Sequence, residues 1–114
     1  MSKPQLDVAI AILLQHGKVL VGFREATQHQ GNKYEFAGGK VEAGETPVAA
    51  CRREVFEEVG VGIHGWQHFD FIQHEYEDVI VNLHVFHAVV PDEFNNEVQK
   101  PWRWYSRSEL TELN

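Results

Sequence analysis

Apolar residues open the chain. Asp7–Leu14 carries Val, Ile, Ala and Leu without punctuation, the pattern of a mostly buried strand. Gln15-His16-Gly17-Lys18 has the composition of a turn, and Val19–Phe23 returns, so a hairpin is expected. Residues 25–33 are polar and include Gly31 and Asn32, a loop; Tyr34-Glu35-Phe36 is a short extended piece before Gly38-Gly39. Thr46 is placed to cap a helix with Pro47 at its first position, where the missing N–H costs nothing. Good helix formers run to Val59, and Gly60 is a natural stop. Two strands follow, Trp66–Tyr76 and Val79–Val89, with Glu77-Asp78 turning between them. In the second, Val79, Val81, Leu83 and Val85 alternate with Ile80, Asn82, His84 and Phe86. Pro91–Lys100 reads as a polar loop and Trp102–Tyr105 as extended, and Ser106 with Glu109 forms a capping box that opens a last helix. This order predicts an α/β (α+β) fold with a helix packed on a sheet.

Composition narrows the functional classes. The 114 residues make one domain, and 43% hydrophobic with 24% charged residues is an ordinary globular mix, which excludes disorder for most of the chain. The longest apolar run, Val8 to Leu14, is far short of the ~20 residues that span a bilayer, and no basic-then-apolar leader opens the sequence. The single cysteine, Cys51, excludes an internal disulfide framework and suits a reducing compartment, so a cytoplasmic location is expected. A formal charge of −7 disfavours binding to a nucleic-acid polymer. It also repels a free anionic ligand unless a metal cation intervenes.

The predicted helix supplies the means. With about 100° of turn per residue, Glu57 falls near −60° and Glu58 near +40° from Glu54, so three carboxylates share an arc of about 100°. Val48, Cys51, Val55 and Val59 fall between about +60° and +140°, an apolar stripe beside the acidic one. Such a helix can bury one flank and present its carboxylates at the edge of a cleft. Like charges at this spacing repel, and a hard divalent cation such as Mg²⁺, which binds through a few carboxylates plus substrate phosphates, turns the repulsion into affinity. Taken alone, the same pattern also describes a solvated helix face. The flanks add weight to the first reading. Gly38-Gly39 and Gly44 allow close approach of backbone to phosphate or metal, Lys40 follows the glycines, and Glu45 is spaced to pair with Arg53.

Read whole, the stretch is Gly39, five residues, Glu45, seven residues, Arg53-Glu54-Val55, Phe56, Glu57-Glu58, Val59, Gly60-Val61. It reproduces the pattern Gly-x5-Glu-x7-Arg-Glu-aliphatic-x-Glu-Glu-x-Gly-aliphatic, and on it the chain resembles the Nudix hydrolase family. The resemblance implies one Nudix domain over residues 1–114, a mixed β-sheet sandwiched between α-helices. It implies Mg²⁺-dependent hydrolysis, with Mn²⁺ as a substitute, of a nucleoside diphosphate linked to another group. Glu54, Glu57 and Glu58, with the Gly38 carbonyl, would be metal ligands. Arg53 and Glu45 would brace the loop, Lys40 would meet phosphates, and Glu97 would be a further catalytic acid.

Beyond the helix, Val8 to Phe23 and Tyr34-Glu35-Phe36-Ala37-Gly38-Gly39-Lys40-Val41-Glu42 look like the MutT branch, the 8-oxo-dGTP diphosphatases. These attack the β-phosphorus and release a nucleoside monophosphate and pyrophosphate. The likeness implies nucleotide contacts from Arg24 and His29, a base edge read by the backbone of Glu35, Phe36, Ala37 and Gly38, and Asp78 near the purine. The chain departs from that branch twice. Ala37 stands where the branch has Pro, and Phe-Ala-Gly-Gly-Lys resembles the relative acting on CTP and modified pyrimidine nucleotides. The sequence also ends at Asn114, before the Pro-Pro-Ala-Asn segment whose Asn pairs with the purine. The expectation is therefore a monomeric pyrophosphohydrolase of small-molecule nucleoside triphosphates that sanitises the nucleotide pool of 8-oxo-dGTP. The alternative is a CTP or modified-pyrimidine hydrolase, and a remote alternative is a non-catalytic nucleotide sensor. The scattered histidines suggest no zinc site. Trp66, Trp102 and Trp104 read as core or sheet-edge aromatics, and Cys51 as packing.

Overall fold

The computed structural model describes residues 3–24, 33–97 and 101–112, with the side chains of Arg24, Asn95, Asn96 and Glu97 excluded. In chain order the elements are β1 (Gln5–Gln15), β2 (Lys18–Arg24), β3 (Lys33–Glu35), β4 (Ala37–Lys40), α1 (Pro47–Val59), β5 (Gln67–Glu75), β6 (Ile80–Val89), a 3-10 helix (Asp92–Glu97), β7 (Trp102–Tyr105) and α2 (Arg107–Leu110).

Strand β1 is the hub. One edge pairs in parallel with β6, from Gln5↔Ile80 to Leu14↔Val89. The other edge is shared: Leu14 and Gln15 pair antiparallel with β2, while Val8–Ala11 pair antiparallel with β4. The sheet runs β3-β2-β1-β6-β5, with β7 also on β2, so it is mixed in direction as expected. The two glycines, to which the sequence pattern gives no element of their own, lie in strand β4. Its pairing, Ala37↔Ala11 through Lys40↔Val8, joins residues too far apart in sequence for local pattern to reveal.

Helix α1 covers one face of the sheet. Its buried residues, Ala50, Cys51, Val55 and Val59, pack with Ala9, Ala11 and Leu13 of β1, Ala37 of β4 and Phe86 and Ala88 of β6. The helix caps behave as the sequence indicates. Thr46 Oγ1 accepts from Ala49 N at 3.2 Å, and Gly60 is left-handed (φ 91°) with its N–H bonded to the Val55 and Phe56 carbonyls. The stripe differs by one position, because Val48 is 38% exposed and Ala50 is buried in its place. Small residues at 9, 11, 37 and 50 let the helix lie close to the sheet, so burial follows fit rather than hydrophobicity alone.

Strand β1 is less enclosed than its apolar run suggests. Ala9, Ala11 and Leu13 are buried, whereas Ile10, Ile12 and Leu14 are half-buried on the face away from α1. Every residue of β5 is exposed, including Phe69, Phe71 and Ile72. Within the stretch expected as a polar loop, Asp92–Glu97 forms the 3-10 helix. The capping box of α2 is present, although that helix is only four residues long.

Candidate active site

Strand β4 and helix α1 build the site between them. Gly39 pairs with Ala9, whose side chain lies in the core beneath α1, and Glu54 comes down onto it. A Cβ at position 39 would stand 2.6 Å from the Glu54 carboxyl carbon, so only glycine leaves that carboxylate its place. Gly38, at φ 149°, donates its N–H to Glu58 Oε1 at 2.9 Å. Both glycines thus position a carboxylate, one by a missing side chain and one by a backbone donor.

Arg53 ties the set together. Its Nε and Nη2 donate to Glu45 Oε2 and Oε1 at 2.8 and 3.1 Å, a two-pronged pair. Nη2 also donates to the Lys40 carbonyl at 3.0 Å, and Nη1 donates to Glu54 Oε1 at 2.9 Å and Glu57 Oε1 at 3.1 Å. One guanidinium therefore fixes the loop acid, the end of β4 and two helix acids. Glu45 is held from its own loop as well: its Oε1 accepts from Glu42 N at 3.0 Å, and its N–H donates to the Glu42 carbonyl. Hydrogen bonds from Arg53 hold the Glu45 carboxyl below its ordinary range, and the same bond, with those to Glu54 and Glu57, pushes Arg53 further up.

The acids differ in how far they reach solvent. Glu54 is only 19% exposed and sits over β4, between buried Ala50 and Cys51 on the helix surface, while Glu57 is half exposed. Four carboxylates against one guanidinium leave an excess of negative charge that a cation would neutralise. Among the described residues no three acidic, histidine or cysteine side chains converge into a closed cage, because Arg53 draws Glu54 and Glu57 while Gly38 holds Glu58. Oxygen donors alone, on one helix face beside a glycine that opens room, suit a hard divalent cation.

Trp102 is a contributor that the sequence suggests only as a core or sheet-edge aromatic. It is buried, and its Nε1 donates to the Glu58 carbonyl at 3.0 Å, anchoring the last turn of α1 to β7. Its ring packs against Gly22, where a Cβ would come within 2.8 Å of it. An aromatic-rich strand after a polar stretch was the available signal.

The other sequence candidates disperse. Lys40 ends β4 and is exposed, Glu35 is half-buried in β3, and Ala37 is 2% exposed with its side chain in the core beneath α1. Phe36 is 41% exposed and forms a wall of a groove of about 350 Å³ on the opposite sheet face, with Ile10, Ile12, Phe69, Asp70, Ile72, Leu83 and Val85. It also borders a hollow of about 150 Å³ with Val21, Tyr34, Glu35 and Leu110. The period-two pattern of β6 was the signal for this groove, since Leu83 and Val85 share a face with Ile10 and Ile12. Asp78 lies in the bend between β5 and β6, beyond the Gln5–Ile80 pair and away from the groove's centre. Arg24 closes β2 opposite Lys33, and Glu97 closes the 3-10 helix, but both side chains lie outside the described set, as does the whole of His29. Cys51 is fully buried, and burial pushes its thiol up to about 12, which leaves it no part in nucleophilic chemistry.

Sheet, glycine strand and carboxylate helix together define a Nudix domain. The NUDIX domain model matches residues 3–114, and the chain belongs to the Nudix hydrolase family. It is 36% identical over 80 residues to the 8-oxo-dGTP diphosphatase of Escherichia coli K12, covering 69% of this chain and 62% of that protein. It is 38% identical over 87 residues to the CTP pyrophosphohydrolase of the same organism, covering 76% and 63%. The chain thus spans somewhat under two-thirds of these curated relatives. The solution structure of the E. coli ORF135 protein superposes with a TM-score of 0.74 at 32% identity, covering 97% of this chain and 80% of that one.

Proposed function

We propose that this chain is a Mg²⁺-dependent nucleoside triphosphate pyrophosphohydrolase acting in the cytoplasm on 8-oxo-dGTP. The supporting observation is the Arg53 clasp, which sets Glu54 on Gly39 while Gly38 holds Glu58. In the reaction the oxygen of water bonds to the β-phosphorus and the bond from that phosphorus to the α–β bridging oxygen breaks. The nucleoside monophosphate leaves with the bridging oxygen, and pyrophosphate forms.

Glu54, Glu57, Glu58 and the Gly38 carbonyl are the groups that would hold Mg²⁺. When bound, the ion offsets phosphate charge and acidifies water. The chain's own residues do the rest. Arg53 and Glu45 keep the carboxylates in register, and a carboxylate of the set takes the proton that water loses. Lys40, exposed at the end of β4, would meet the phosphates. Phe36 and the apolar groove offer stacking surface for the base, and the β3–β4 backbone offers hydrogen bonds to its edge. Arg24, His29, Asp78 and Glu97 complete the proposed set.

The likeness to a CTP pyrophosphohydrolase supports a second reading, hydrolysis of pyrimidine triphosphates. Pyrophosphate release from 8-oxo-dGTP, dGTP, CTP and 5-methyl-dCTP, with and without Mg²⁺, decides between them. The first reading expects Mg²⁺-dependent release, fastest with 8-oxo-dGTP, and a loss of roughly a hundredfold in Glu54→Gln. A clear pyrimidine preference selects the second. Nucleotide binding without turnover of any of the four overturns both in favour of a sensor.

A further inference from the structure

Strand β5 is the sheet's outer edge: among the described residues its only strand partner is β6. Natural edges are commonly blunted by Lys, by Pro or by a cover. Gln67–Glu75 contains neither Lys, Arg nor Pro, and every position is exposed, with Phe69 at 62%, Phe71 at 48% and Ile72 at 46%. The one irregularity, a bulge at Phe69, lies at the start of the strand, so Asp70–Glu75 pairs regularly with Val85–Ile80; within this stretch the Phe71 N–H donates to Asp70 Oδ1 at 2.8 Å, which leaves Asp70 Oδ2 for a further partner.

The sequence of that regular stretch fits a copy of itself run backwards. In an antiparallel two-fold pairing about Ile72, Ile72 meets Ile72, Phe71 meets Gln73, and Asp70 meets His74, twice by symmetry. Each pair lies on one sheet face, because Ile72, Asp70 and His74 alternate with Phe71 and Gln73. No like charges oppose each other. A pairing about Phe71 instead would set Asp70 against Ile72 and His74 against His68, losing both acid–imidazole contacts.

We propose that the chain forms a two-fold dimer in which β5 pairs antiparallel with β5 of a second copy about Ile72, continuing the sheet across both molecules. This replaces the monomer expected from sequence, and it stands independently of the catalytic reading. Backbone hydrogen bonds supply the association, and the Asp70–His74 contacts fix the register.

Sedimentation of the whole chain, across a concentration series reaching high micromolar, tests it. The expected result is a reversible species of twice the 13.1 kDa chain mass. Ile72→Lys, which sets two ammonium groups at the axis, is expected to leave only monomer with an unchanged circular dichroism spectrum. Asp70→Lys should raise the dissociation constant roughly tenfold or more, and adding His74→Glu should restore it by re-forming opposite charges across the axis. A wild-type chain that stays monomeric throughout, or a dimer that survives Ile72→Lys, overturns the proposal. So does a double variant no tighter than Asp70→Lys alone.

Discussion

Glu54 occupies the space that a side chain at Gly39 would take: a Cβ there would lie 2.6 Å from both the carboxyl carbon and Oε1. The obstacle is the end of a flexible side chain, not backbone. Gly39→Ala should therefore keep the fold and swing Glu54 away. Melting is expected to change little, while Mg²⁺-dependent pyrophosphate release falls by on the order of a hundredfold, the usual cost of a displaced reacting group. Normal turnover in a well-folded Gly39→Ala would detach Glu54 from the chemistry.

Its neighbour fails differently. Gly38 sits at φ 149°, and a Cβ there would collide with the Ala9 carbonyl, which is fixed in the β1–β4 ladder. Gly38→Ala is expected to cost at least about 1–3 kcal/mol through backbone strain, with part of the loss coming from broken β4 pairing. Chemical denaturation would read this directly. The two substitutions thus separate two kinds of glycine that are adjacent and indistinguishable in sequence.

That contrast shows which features could be read in advance. Helix α1 was legible because its signals are local: Thr46, Pro47 and Gly60 cap it, and its acids follow the helical period. The Arg53–Glu45 pair was legible from spacing, and it is the tightest contact in the site. Strand β4 was not, because Gly-Gly has turn composition and its strand character comes from Ala9 and Ile10, a non-local partner. Ala50 was passed over for Val48 because hydrophobicity does not report the closeness that small residues permit. The groove behind Phe36 required knowing that α1 covers only one face of β1.

Acid should act on the site through Glu45. Its carboxyl titrates below the ordinary range because Arg53 donates to it, so the unfolded chain binds more protons as pH falls. The stabilisation is complete above the unfolded value near 4.3 and is lost as pH drops through the lower folded value. Glu45→Gln should therefore be less stable than wild type at pH 7, with the gap closing under acid. Parallel melting curves for the two proteins from neutral pH into the acid range provide the measurement; a constant gap would remove the titration from the clasp.

Cys51 should be silent in the folded protein. Its thiol is fully buried and pushed up to about 12, so at pH 8 its thiolate fraction is roughly a thousandfold below that of a free cysteine near 8.5. Reaction with a chromogenic disulfide should be correspondingly slow in buffer and prompt in denaturant. Fast labelling of the native chain would show that α1 lifts readily from the sheet.

Trp102 gives the most selective probe of how the far end of the helix is held. Its indole N–H donates to the Glu58 carbonyl, while its ring packs on Gly22 and the core. Trp102→Phe keeps most of the packing and removes the donor, at a cost of about 1 kcal/mol. Gly22→Ala does the reverse, pressing on the ring without touching the bond's chemistry. If the bond sets the last turn of α1, Trp102→Phe should lower turnover beyond what its small stability loss explains, with KM for the nucleotide nearly unchanged. A rise in KM alone, with turnover intact, would instead assign Trp102 to substrate binding.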